Sequence, residues 1–174
     1  QAFKMEYTMK EKSVTQSNHL IQATYSLTLQ EKRLLMLAIS KVNPHKWQQE
    51  WIIKVKASEW AEAYGCKLRN AYRDMKDAAD RLMEQPHLVL NTGPDVTEKA
   101  YWVGGCTYKK KEGYVSLSIP PELRKYLAYA MLEDEGFTSY KILSVGSLRS
   151  HNSIRLYEFL SRWQSTGVLT ISVD

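Results

Sequence analysis

The stretch LRNAYRDMKDAADRLME, residues 68–84, constrains the fold more than any other part of this 174-residue chain. Ala71, Tyr72, Met75, Ala78, Ala79, Leu82 and Met83 recur at the three- and four-residue spacing that gathers side chains on one face of a helix. That stripe has to be buried against other elements. The leading edge carries Lys67, Arg69, Asn70 and Arg73, which belong in water, and Pro86 marks the helix end. The scaffold must therefore pack one side of this helix and present its basic front.

The flanking segments supply such a scaffold. Thr28-Leu29-Gln30-Glu31 has the form of a capping box and predicts a helix from Leu29 to Val42, stopped by Asn43-Pro44. Upstream, HLIQATY (19–25) reads as a short strand. WIIKVKA (51–57) alternates as a strand, and Ser58 is placed to cap a short helix that packs through Trp60, Ala61 and Tyr64 and ends at Gly65. Beyond residue 86 the period changes to two. HLVLNT (87–92), KAYWVGGCTYK (99–109) and GYVSLSIP (113–120) read as three strands, joined by GPDVTE and by the tight turn KKEG, with a bulge at Gly104-Gly105. Pro120-Pro121 opens a helix through Leu123, Tyr126, Leu127, Ala130 and Met131. FTSYKILSV (137–145) fits either a strand or a helix. Ser150 caps a last helix burying Ile154, Tyr157, Leu160 and Trp163, and VLTISVD (168–174) alternates as a strand.

Helix, strand, short helix, turn, longer helix and then strands joined by a basic turn is the order of a winged helix-turn-helix. The predicted class is α+β, with an antiparallel β-meander as the wing and additional C-terminal helices. In such a fold the N-terminal residues of the second helix of the pair reach DNA base edges. Arg69 and Arg73 lie four apart, on one face, and guanidinium groups bond guanine O6 and N7 in pairs, as Asn70 can bond adenine. Lys67 and Lys76 suit phosphates. Lys109, Lys110 and Lys111 stand at the hairpin tip, where a wing follows the phosphate backbone, and Lys99, at the other end of the same predicted strand, is a weaker candidate. A solvated helix face accounts for the arginines equally well, since Asp74, Asp77 and Asp80 make it mixed. A lysine-rich tip also protects strand edges from aggregation.

The net charge of +5 favours a polyanionic partner, and 44% hydrophobic residues suit one globular domain. The densest apolar stretch, Leu34 to Ser40, is far short of the roughly 18 residues that cross a bilayer. QAFKMEYTMKEK has no signal-peptide core, and residues 1–13 are set aside as an extension before a domain over 14–174. Two distant cysteines, Cys66 and Cys106, fit a reducing cytoplasm. His19, His45, His87 and His151 have no metal-ligand spacing, and nothing marks a cofactor site. Glu133-Asp134-Glu135 and the adjacent Ser150-His151 carry no mechanism by sequence alone, so no enzyme is expected.

The segments SNHLIQATYSLTLQEKRLLMLAIS, AYRDMKDAADRL and FTSYKILSVGSLRSHNSIRLYEFLSRWQSTG together resemble the first winged-helix domain of iteron-plasmid replication initiators, from about Val14 to Asp174. LTLQEKRLL followed at a distance by SIRLYEFL is the most specific part. The resemblance implies a bacterial plasmid protein that binds double-stranded DNA at repeated origin sites, helps open the duplex and recruits host replication proteins. It also implies a homodimer in the repressor form and a second winged-helix domain, expected to begin near LTISVD. By the same resemblance residues 68–84 form the DNA-facing helix and Lys109 to Lys111 the wing. Leu156 and Tyr157 are expected to pack, and Arg155 to pair with a carboxylate or carbonyl. Dimer candidates are the sheet edge Tyr101 to Tyr108 and the helix Leu34 to Val42, for which core packing is the better reading. The rival to DNA reading is a winged helix kept for dimerisation or docking.

Overall fold

The computed structural model describes residues 8–84, 87–128, 136–164, 166–168 and 170. Its elements run β1 (Ser13–Ser17), α1 (Asn18–Gln22), α2 (Leu29–Ile39), β2 (Ile52–Lys56), α3 (Ala57–Tyr64) and α4 (Leu68–Glu84). They continue β3 (Leu88–Gly93), β4 (Val96–Ala100), β5 (Gly105–Lys109), β6 (Tyr114–Ser118), α5 (Pro121–Arg124), β7 (Phe137–Lys141), α6 (Ile142–Gly146) and α7 (His151–Arg162). The winged helix comprises α2, β2, α3, α4, β5 and β6.

Local chemistry sets the starts and stops. The capping box at α2 is closed: Thr28 Oγ1 accepts from the Glu31 N–H at 3.4 Å, and Glu31 Oε2 accepts from the Thr28 N–H at 2.9 Å. Gly65 ends α3 at φ 64°, a left-handed conformation that glycine adopts without strain. Helix α4 buries Ala71, Met75, Ala78, Ala79 and Leu82, and its alanines let α2, α3 and the inner sheet face approach closely. The sheet has strand order β2-β6-β5, all antiparallel. Ile53 and Val55 of β2 stand opposite Leu117 and Val115 of β6, which also face Cys106 and Tyr108 of β5, and this face lies on α4.

Several expectations are corrected. Residues 18–22 form a short helix capped by Ser17, whose hydroxyl accepts from the Leu20 N–H at 3.2 Å, with Leu20 and Ile21 both buried; Thr24 makes an isolated bridge to Val89. The predicted strand 99–109 is two strands in different sheets. Trp102 and Val103, both buried, lie between the two, with β4 paired with β3 and β5 with β6. Lys99 thus sits outside the wing sheet, and Tyr101–Gly104 is no sheet edge. Helix α3 starts one residue before Ser58, with Lys56 as N-cap and Glu59 Oε2 accepting from the Lys56 N–H at 2.9 Å. Residues 137–145 are strand and helix in succession, β7 and then α6. Met83 is 47% exposed, off the α4 stripe. Helix α2 is core, as expected, with Leu34 to Ile39 all buried. Pro86, Ala130, Met131, Glu133-Asp134-Glu135 and most of 168–174 lie outside the described residues.

The largest correction concerns α7. Leu156 and Leu160 are 48% and 51% exposed, whereas Glu158 is wholly buried alongside Ile154. The helix turns this face inward because Lys32 of α2 is itself buried and requires a counter-charge. Lys32 Nζ lies 2.8 Å from Glu158 Oε1, which also accepts from Gln16 Nε2 and from the Tyr140 hydroxyl, each at 2.7 Å. One carboxylate therefore joins β1, α2, β7 and α7. Arg155, as expected, bonds carbonyls, donating to Ile21 O at 2.9 Å and Ala23 O at 3.1 Å, and its guanidinium lies 4.3 Å from the Tyr25 ring centroid. Tyr157 is half-buried against the core, also as expected.

Burial alone would raise the Glu158 pKa, but the Lys32 charge and the bonds from Lys32, Tyr140 and Gln16 outweigh it and hold the carboxyl below its ordinary 4.5. Burial likewise works against the Lys32 charge, and Glu158 together with Tyr25 keeps its pKa above 10.5. The depressed carboxylate contributes stability above about pH 4.5 that disappears as pH falls through its folded value. The raised ammonium contributes stability below about pH 10.5 that disappears as pH rises through its folded value.

We expect Glu158→Gln to lower the unfolding free energy in urea by about 3 to 5 kcal/mol by stranding a buried ammonium, and Lys32→Met with Glu158→Leu to regain most of that loss. In an acid titration of the urea midpoint, wild type should lose stability below about pH 4.5 more steeply than Glu158→Gln. Equal slopes would remove the buried pair from the acid limb.

Candidate nucleic-acid interface

The N-terminal two turns of α4, the start of α3 and the β5–β6 turn meet in a surface groove of about 520 Å3. Each contributor is held from behind. On α4, the inward-facing Ala71 and Met75 turn Arg69 and Arg73 outward. The wing turn closes at Gly113, with φ 66°, whose carbonyl accepts from the Ala57 N–H at 2.8 Å and so fixes the turn against α3. The wing is braced to α4 by the Tyr108 hydroxyl donating to Asp80 at 2.6 Å and by Cys106 beside the Ala79 carbonyl.

Four cations rim the groove: Arg69, Arg73, Lys110 and Lys56. Among the described residues Glu112 is the one carboxylate of its lining, to which Ala57, Leu68 and Tyr72 add apolar surface. The Arg73 side chain is 67% exposed and pairs with Asp74 at 3.4 Å, which leaves much of its guanidinium open to a ligand. Anion recognition suits this arrangement, because fixed guanidinium forks bond carboxylate, phosphate and base edges in pairs.

Of the eight residues singled out from the sequence, the groove brings together Arg69, Arg73 and Lys110. Lys67, Asn70, Lys76, Lys109 and Lys111 are outside its lining. Lys67 is exposed in the α3–α4 turn, where its carbonyl accepts from the Asn70 and Ala71 N–H groups, and Asn70 is half-buried. Lys76 is engaged in bracing: its Nζ lies 2.6 Å from Asp80 and 5.1 Å from the Tyr108 ring centroid. Lys109 and Lys111 are exposed beside the groove.

The sequence reading missed Lys56 and Lys54. Their signal was the alternation in IIKVK, which puts both on the polar face of β2, but it gains meaning only from register. Lys56 stands opposite Tyr114, and Tyr114 opposite Lys109, while Lys54 Nζ sits 3.6 Å above the Tyr114 ring. A third lysine, Lys41, joins Lys12 around Glu59, whose carboxyl is resisted by burial yet drawn down to about 2 by bonds from both ammonium groups. Ser150 is accounted for as a cap, its Oγ accepting from the Ser153 N–H at 3.0 Å. Among the described residues no three metal-ligating side chains gather, and no helix is long and apolar enough to cross a membrane.

Comparison with known proteins gives this geometry a context. An uncharacterized 27.6 kDa protein of Escherichia coli is 25% identical over 170 residues, a match covering 91% of this chain and 70% of that protein. The Pi initiator protein, solved in complex with iteron DNA, superposes with a TM-score of 0.74 at 19% identity, over 88% of this chain and 64% of its own. This chain thus spans just under two thirds of that relative, and the likeness establishes a common fold. Residues 13–161 match the family described as initiator replication protein, WH1. The chain belongs to the initiator replication protein family, and its winged helix is that family's WH1 domain.

Proposed function

We propose that this chain is a DNA-binding domain of a plasmid replication initiator, contacting double-stranded repeats at an origin with the first two turns of α4 in the major groove. The observation that carries this reading is the convergence of Arg69, Arg73, Lys110 and Lys56 on one groove between helix and wing. Family membership and a fold shared with an initiator solved on iteron DNA support it. B-DNA's major groove admits an α-helix, and arginines near its N-terminus reach guanine edges. Farther along, Asp77 follows Arg69 and Arg73 at the same four-residue step and would oppose phosphates, so contact is limited to the front of the helix.

In this proposal Arg69 and Arg73 read bases, while Lys67 and Lys109 to Lys111, with Lys54 and Lys56, meet phosphates. Asn70 serves the helix start, and Lys76 holds the wing. A bacterial cytoplasmic setting, recruitment of host replication proteins and cooperation with a second winged-helix domain belong to the same proposal. The rival is a dimerisation module without base reading. Among the described residues β5 is an edge strand, which favours it, since an open edge can pair with its twin in a symmetric dimer.

Anisotropy titrations against the plasmid's own origin repeat and a scrambled duplex, at two salt concentrations, separate the two. Arg69→Ala or Arg73→Ala should cost about 1 to 3 kcal/mol on the repeat and relax specificity. Lys110→Ala should weaken both duplexes alike and reduce the salt slope by about one. Uniform weakening by all three substitutions would reject base reading, and absence of binding with a concentration-dependent mass would leave the dimerisation module.

A further inference from the structure

Resting on that placement of α4, we propose that Leu68 is a specificity-determining residue that reads the 5-methyl group of a thymine next to the base contacted by Arg69. Leu68 is the first residue of α4, and a leucine there is unexpected, because the side chain is 59% exposed. It lines the same groove as Arg69 and Arg73, as does Tyr72, one helical turn on.

The groove thus offers an apolar patch beside guanidinium donors. In the major groove that combination has a direct complement, because thymine alone among the four bases presents a methyl group there, and apolar side chains contact it. A phosphate path would be served by the cations and would gain nothing from an exposed leucine. A base edge would be served by both.

Deoxyuridine provides the test, since it lacks the methyl and keeps thymine's pairing and O4 acceptor. A duplex is first selected by this chain from a randomised pool and then resynthesised with uracil replacing thymine at one position at a time. Wild type should lose about three- to fivefold in affinity at one thymine of the site, the factor expected for one methyl group withdrawn from an apolar contact. Leu68→Ala should lose a similar factor on the thymine duplex and show no further loss on the uracil duplex. Arg69→Ala should weaken both duplexes and retain the difference between them.

Thermal midpoints of the variants confirm an intact fold. Equal affinity of wild type for every uracil duplex, or a methyl effect undiminished in Leu68→Ala, overturns the assignment of Leu68 while leaving α4 as a base reader. If no sequence is enriched from the pool, base reading by α4 fails, and the Leu68 assignment falls with it.

Discussion

The buried ion pair between Lys32 and Glu158 joins the winged helix, through α2, to the frame of β1, β7 and α7. Its two charges come from α2 and α7, and its auxiliary donors from β1 and β7, so one desolvated carboxylate fixes four elements at once. An unpaired charge in such a place is far less favourable than the pair, which makes alternative packings of α7 poor competitors. The preceding residue of α2 does the same for the recognition side. Glu31, wholly buried, accepts from Arg81 of α4 at 2.9 Å while it also closes the cap of its own helix. Neighbouring side chains on α2 thus clasp α7 on one flank and α4 on the other.

The groove inherits its dimensions from these clasps. Glu31 and the small residues along α4 set the angle of the helix, Tyr108 on Asp80 sets the distance of the wing, and the Gly113 carbonyl on Ala57 ties the turn to α3. None of these contacts involves the groove's cations. Arg69, Arg73 and Lys110 are therefore free to exchange water for a polyanion without disturbing what holds them in place, an arrangement that keeps the recognition surface preorganised.

Much of this was legible in the sequence where a local pattern had only one use. The capping box at Thr28, the left-handed stop at Gly65, the apolar stripe of α4 and the Lys-rich turn closed by Gly113 all follow from neighbours in the chain. Legibility failed where partners are remote. Nothing near Glu158 announces that Lys32 is buried, so an apolar count placed Leu160 inward and left the carboxylate outside. Leu20 and Ile21 read as strand because their segment is short and β-tolerant, yet the Ser17 cap starts a helical turn there and both side chains pack into the core. Trp102 and Val103 lie where the long predicted strand divides, both buried in the core, and Trp102 meets Tyr25 with ring centroids 4.9 Å apart. Lys56 was invisible as a groove residue until β2 was paired with β6.

The antiparallel pairing of β1 with β7 has a kinetic side. Gln16 meets Glu158 across 142 positions of sequence, and Thr15 bonds Ser139 across 124, so the frame closes only when both ends of the described fold are present. The winged helix is assembled from elements closer in sequence, with β3 and β4 intervening between α4 and β5. During synthesis the basic helix and wing emerge before β7 and α7, so β1 and Lys32 await their partners although α2 already has α4 and β2 to pack on. Closing β1 on β7 and Lys32 on Glu158 is thus a non-local step, of the kind that slows folding.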